Sequence, residues 1–302
     1  MWFKNVQIFQ LKDTENLDTN ELVSKIPDFP LKECGSQEEH SFGWLPLIRN
    51  SEQWTLAGDR CLLFRAGKEE KVLPAAVVRE ELEAKVSEIE LVEGRKVGRK
   101  EKQDMKDELV FTLRPRAFSK RSDIWGYIDL KANILVLNST NAGMTELLFK
   151  HLQTTLGSFP MTPLQAQVSP TSIMTDWLIK NDVPASLETG DECEIQDSSE
   201  DKATIRFKSL EPLSEDVTQH LQQGMSVKNV ALRWTDKVSF VLHDDLTLRK
   251  VKFDDTLKDA AFNDSQGGGL ADMDANFALM SLTLRELFDS LSLWFEISSN
   301  NE

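Results

Sequence analysis

Three cysteines, one tyrosine and four histidines in 302 residues leave little material for several kinds of chemistry. Cys34, Cys61 and Cys193 are odd in number, far apart and never spaced as a metal-ligand pair. Neither a disulfide framework nor a zinc site is expected, and a reducing compartment is. No stretch approaches the roughly 20 apolar residues that a membrane-spanning helix needs. Lys4, Asn5, Gln7 and Gln10 break up the first eleven residues, so these lack the apolar core of a signal peptide. A cytoplasmic chain without membrane contact is therefore expected. His40, His151, His220 and His243 fall in no H-E-x-x-H spacing, and no G-x-S-x-G elbow accompanies them. Gly267, Gly268 and Gly269 lack the lysine and hydroxyl residue of a phosphate-binding loop, and Asp272 and Asp274 after them would repel a phosphate. Cys34 has no recognisable base to activate it. His243, Asp244 and Asp245 are a compact set of ligand types, but they sit at an expected hairpin turn, where Asp is favoured by turn geometry alone. No catalytic residue, metal or cofactor is expected.

What the chain does have is an ordinary globular composition, 40% hydrophobic and 28% charged, with enough length for one large domain or several small ones. Its net charge of −15 argues against a polyanionic partner until charge is read segment by segment. From Gly94 to Arg121, ten Lys or Arg stand against Glu101, Asp104, Asp107 and Glu108, a local +6 that leaves −21 for the rest. This segment has two readings: a surface that confines a polyanion, or a solvated basic helix on an acidic protein. Phe118, between Arg114, Arg116 and Lys120, Arg121, is likewise either a core residue or an exposed aromatic contact flanked by positive charge.

The periodicities predict an α+β fold of hairpins and helices, without regular βαβ alternation or internal repeat. Residues 6–11 read as a strand with Val6 and Ile8 on one face and Phe9 and Leu11 on the other. A short helix follows, capped by Asp18 or Thr19 and ended by Pro27. Arg60–Arg65 reads as a short strand. Val78, Leu82, Val86, Ile89 and Val92 recur at helical spacing, Gly94 and Gly98 interrupt, and Met105, Leu109 and Leu113 continue on a second helix. Together they predict a projecting helical hairpin with a basic, glycine-containing turn. Strands are expected at Ile124–Leu130 and Ile134–Leu137, and a helix at Ala142–Leu156 stopped by Gly157. Beyond Pro163 come a helix at Ser172–Lys180, a strand at Lys202–Phe207 and a helix at Glu215–Gln223 capped by Ser214. A hairpin around His243–Asp245 and a helix at Asn276–Phe295 complete the chain. The implied organisation is a central α+β domain in two parts, 1–75 and 115–160, a hairpin at 76–114 and a C-terminal α+β base domain at 161–302.

Six short motifs occur in order through the chain: Trp2-Phe3-Lys4-Asn5, Cys34-Gly35-Ser36, Gly43-Trp44-Leu45-Pro46, Lys68 to Pro74, Pro115-Arg116-Ala117-Phe118-Ser119 and Leu156-Gly157-Ser158-Phe159-Pro160. In these the chain resembles the recombination-associated RdgC family. The resemblance implies a ring-shaped homodimer with a positively lined hole. Such a ring binds duplex and single-stranded DNA without sequence preference, restrains RecA-dependent strand exchange and associates with the nucleoid. It further implies that Lys68, Lys71, Arg95, Lys96, Arg99, Lys100, Arg114, Arg116, Lys120 and Arg121 line the hole, and that Phe118 lies at the dimer interface. The chain departs from the family pattern at Gly98, where a bulkier or charged residue is usual, and after Lys208, where Ser209 and Leu210 follow. The residues alone also leave open an acidic protein-interaction factor that binds a recombination or repair protein directly, and a metal-dependent nuclease built on His243, Asp244 and Asp245.

Overall fold

A computed structural model describes residues 1–12, 17, 19–197, 203–264 and 268–297. Two antiparallel sheets carry the architecture. The first joins β2 (His40–Leu45), β4 (Cys61–Val72), β5 (Phe118–Asp129), β6 (Ile134–Leu137), β1 (Gln7–Leu11) and β7 (Met161–Pro163) in that order, with β3 (Thr55–Gly58) also paired to β4. The second runs β12 (Leu248–Phe253), β11 (Val238–His243), β10 (Met225–Trp234), β8 (Leu187–Asp197), β9 (Thr204–Lys208).

The alternation expected at the N-terminus is realised on both faces of the first sheet. Phe9 and Leu11 pack with α1 (Thr19–Lys25) and α4 (Ala142–Leu156), through Leu22, Leu148 and Leu152. Val6 and Ile8 enter a second cluster with α8 (Leu270–Trp294) and the inner face of the second sheet. Val6 also exchanges backbone hydrogen bonds with Leu248, of 2.7 and 2.9 Å, so the first residues of the chain join the two sheets. Gly43 is required on β2 because a Cβ there would meet the Leu31 backbone nitrogen at 2.4 Å.

Helix ends follow local chemistry where a side chain is free to supply it. The Asn141 carboxamide oxygen accepts from the Met144 N–H at 3.0 Å at the start of α4, and the Gly157 N–H donates to the Gln153 carbonyl at its end. α2 (Ala75–Glu93) ends at Gly94, whose φ of 64° suits glycine, and α3 (Arg99–Leu113) begins after Gly98. The two helices pack on each other, and among the described residues no other element packs more than weakly on α2. α5 (Pro170–Lys180), α6 (Glu215–Gln222) and α7 (Asp255–Asp264) complete the helices.

Several expectations need correction. The strands expected at Arg60–Arg65 and Ile124–Leu130 extend to Val72 and begin at Phe118, because a twelve-residue ladder between them overrides charged residues that read as strand ends. β8 was hidden in the same way, its Glu192 and Glu194 being paired with Lys250 of β12 and with Arg206 of the adjacent β9. Strands β2, β3, β7 and β10 and helix α7 were not expected at all, and the last helix starts six residues early, at Leu270. Ser214 stands at the start of α6, but its buried hydroxyl finds no partner among the described residues and does not cap the helix. Val92, assigned to the apolar stripe of α2, is 78% exposed. Thr19 is the first residue of α1 rather than its cap. Asp18, Lys202 and Gly267 lie outside the described residues.

Candidate nucleic-acid interface

The candidate cations are gathered by one device. β4 and β5 form a ribbon, and the α2–α3 hairpin is inserted between their far ends, where Val72 faces Phe118. Residues directly opposite in an antiparallel pair share a face, and successive residues alternate. Lys68, Glu70 and Lys120 therefore stand on one face, and Glu69, Lys71 and Arg121 on the other. The ribbon cannot present all four of its candidate cations to one ligand surface.

Four of the ten candidates are held by carboxylates. Arg121 donates from Nε to Glu69 Oε2, and Glu69 is buried with its other oxygen accepting from the Cys34 N–H at 3.3 Å. The hydrogen bond from Arg121 outweighs burial and holds the Glu69 carboxyl below its usual range. Lys68 binds Glu70 on its own face of the ribbon, which lowers the Glu70 carboxyl in the same way. Arg114 reaches the Gln37 carbonyl at 3.1 Å and Glu39 Oε1 at 2.7 Å, tying the end of α3 to the loop before β2. Arg95 donates from both Nη atoms to Glu101, at 2.8 and 2.7 Å, and from Nε to Glu93 at 2.6 Å. That bidentate clamp closes the hairpin turn across the end of α2 and the first turn of α3.

The other six candidates make no ion pair among the described residues. Lys96, Arg99 and Lys100 are exposed at the hairpin tip, Arg116 and Lys120 are exposed beside Phe118, and Lys71 is partly buried. Phe118 is 87% exposed, so the structure sets aside its packing in the core. Two further cations, Lys102 and Lys106, follow Arg99 at steps of three and four and place a basic stripe along one face of α3. Both were visible as charge in the sequence, and the i, i+3, i+7 spacing was the signal that would have added them to the site. α2 alongside carries six glutamates against Arg79 and Lys85, whereas Arg99, Lys100, Lys102 and Lys106 of α3 are matched in number by Glu101, Asp104, Asp107 and Glu108, so the hairpin joins an acidic helix to one that is neutral overall.

The remaining chemical candidates are occupied structurally. His243, Asp244 and Asp245 form the expected turn: Asp244 is paired with Lys228, and Asp245 Oδ1 accepts from the Thr247 N–H at 3.0 Å and its hydroxyl at 2.6 Å. Burial, followed by the nearby Arg249 charge, lowers the His243 imidazole. Among the described residues no three His, Cys, Asp or Glu side chains converge as a metal site. All three thiols are buried, and burial pushes Cys61 and Cys193 up to about 12, away from the reactive thiolate. No described helix is long and apolar enough to cross a membrane.

Comparison with known proteins places this geometry in context. A family model described as "RdgC: Putative exonuclease, RdgC" matches residues 1–298. The chain is 36% identical over 300 residues to the "Recombination-associated protein RdgC" of Pseudomonas aeruginosa (strain LESB58), covering 96% of each. It is similar to proteins of the same name from Pseudomonas syringae pv. tomato, 36% identical over 297 residues, and Psychromonas ingrahamii, 34% identical over 292 residues. Each match covers 96% of this chain and 97% of the relative.

Proposed function

The chain belongs to the RdgC family, and on that footing we propose that it is a sequence-independent binder of duplex and single-stranded DNA that acts by binding rather than by cleavage. In this reading two copies close into a ring around DNA, inside the cytoplasm and at the nucleoid, and restrain RecA-dependent recombination by limiting access to the strand. The central domain, 1–75 with 115–160, and the base domain, 161–302, form the frame, and the hairpin, 76–114, carries cations to the phosphates. Phe118 is assigned to the contact between the copies. The observation that carries the proposal is the set of exposed cations at Lys96, Arg99 and Lys100 that no carboxylate among the described residues neutralises, on a chain that is otherwise strongly acidic. Phosphate contacts of that kind release counterions and give affinity without reading bases.

The test is a titration of wild type and an Arg95→Ala, Lys96→Ala, Arg99→Ala, Lys100→Ala variant against unrelated duplexes. The expected result is affinity indifferent to sequence, falling by orders of magnitude between about 50 and 200 mM salt, and strongly reduced in the variant. No binding by either protein would favour the acidic protein-interaction factor. A ring further requires slower release from closed circles than from linear DNA. Because the family description names an exonuclease, a nuclease is the second reading, and it predicts degraded DNA on incubation with Mg²⁺ or Mn²⁺.

A further inference from the structure

At the end of β2 away from the hairpin, the outermost strand of the first sheet is covered by the chain that precedes it. Residues 29–31 run beside it: the Leu31 N–H donates to the Trp44 carbonyl at 2.8 Å, and the Trp44 N–H to the Phe29 carbonyl at 3.0 Å. This strap occupies backbone groups that an uncovered edge strand would offer to another chain. One side chain of α4 fastens it. His151 Nε2 lies 3.2 Å from the same Phe29 carbonyl, and since a carbonyl only accepts, Nε2 carries the proton and donates. The imidazole sits among Trp44, Phe42 and Phe29, with ring centroids 5.0, 5.4 and 6.3 Å away. Trp44 Nε1–H donates to the Thr155 hydroxyl at 3.0 Å, and that hydroxyl to the His151 carbonyl at 2.8 Å. Strap, edge strand and helix thus meet at one residue.

We propose that His151 is a proton-operated latch on this strap: the neutral imidazole closes residues 29–31 onto β2, and the imidazolium lets them lift. In the neutral tautomer that bonds Phe29, Nδ1 carries no hydrogen and needs no acceptor. Protonation adds an N–H there, and among the described residues Nδ1 has no hydrogen-bond partner. The new charge also stands against three aromatic side chains with no carboxylate to balance it. On α4, Lys150 is paired with Glu146, and on α1, Lys25 with Glu21, while Asp28, Lys32 and His40 are exposed. Burial, the larger influence, lowers the imidazole from its ordinary value, the Phe29 carbonyl opposes that, and no charged group is a third. A base lowered on folding keeps the strap closed above its unfolded value near 6.5 and loosens it as pH falls through the folded one.

The test is hydrogen–deuterium exchange of the full chain at about pH 7.5 and 5.5, either side of the unfolded imidazole value, read at the Leu31 and Trp44 amides. Rates are corrected for the intrinsic pH dependence of exchange. Protection in the wild type is expected to fall about threefold or more on acidification. His151→Gln keeps an N–H for the Phe29 carbonyl and cannot titrate, so its protection is expected to be the same at both pH values. A second measurement needs no variant to fold. The His151 ring, assigned in the wild type by its contacts with Trp44 and Phe42, is titrated by proton NMR, and its midpoint is expected below about 6.5. Equal wild-type protection at both pH values, an equal fall in His151→Gln, or a midpoint at or above the ordinary value overturns the proposal. Protection that rises on acidification overturns it too, and would mean that the three aromatic rings hold the imidazolium.

Discussion

Helix α8 runs 25 residues and buries eight of them, whereas α2 and α3 run 19 and 15 residues and together bury three, Val78, Val86 and Leu109. α8 packs Phe277, Leu284, Leu287 and Leu291 into the cluster shared by both sheets. Its Arg285 donates to Asp129 at 2.6 Å and to Asp59 at 2.7 Å, so even its charge is spent internally. The hairpin leaves Leu91 86% exposed and keeps most of its cations free of carboxylates. One element stabilises the fold and the other is held out for something else, because a residue buried in the core cannot also meet a partner. The comparison also shows why counting Lys and Arg is a poor guide to a binding surface. A cation already paired, such as Arg121 on Glu69, gives a phosphate less than an unpaired one does.

The comparison breaks most severely if substitutions in α8 prove mild. Phe277→Ala is expected to cost about 3 to 5 kcal/mol in urea denaturation, through lost burial and the cavity left behind. Arg285→Ala comes next, at roughly 3 kcal/mol or more, because it strands the fully buried Asp129 carboxylate. The same network sets an acid limit. Hydrogen bonds from Arg285 first, then Lys131, hold the Asp59 carboxyl down to about 2. A carboxyl depressed on folding adds stability that is complete above its unfolded value near 4 and is lost as pH falls toward 2. Asp59→Asn should therefore flatten that part of a stability profile followed by circular dichroism.

Substitutions in the hairpin sharpen the contrast from the other side. Lys96→Ala, Arg99→Ala and Lys100→Ala together should leave stability within about 0.5 kcal/mol. They should reduce the slope of log affinity for duplex against log salt by about 2 to 3, near 0.9 for each lost phosphate contact. Arg95→Ala should change that slope by less than about 1, since its guanidinium is committed to Glu93 and Glu101. The smallest effect on stability is expected for Phe118→Ala, with no shift beyond about 0.5 kcal/mol. Its readout is faster release from closed circular DNA.

Much of this was legible in the residues. The α2–α3 hairpin, α4 and the two faces of β1 follow from spacings of 3.6 and 2 and from caps that act within a few positions. The β4–β5 ribbon was half legible, since its inner residues form short apolar runs of strand length and its outer half, from Lys68 to Lys71 and Ser119 to Arg121, reads as polar loop until each strand pairs with the other. The site was legible as a list of cations and not as a surface.

By itself, then, the sequence determined the local elements, the excess of positive charge between Gly94 and Arg121, and family membership. Which of those charges are free was decided only in three dimensions. Arg114 is neutralised by Glu39 and Arg121 by Glu69, carboxylates 75 and 52 residues away. Pairs so distant form only after strand register has been set by burial across the whole sheet. Local periodicity contains no information about which carboxylate will stand beside which cation.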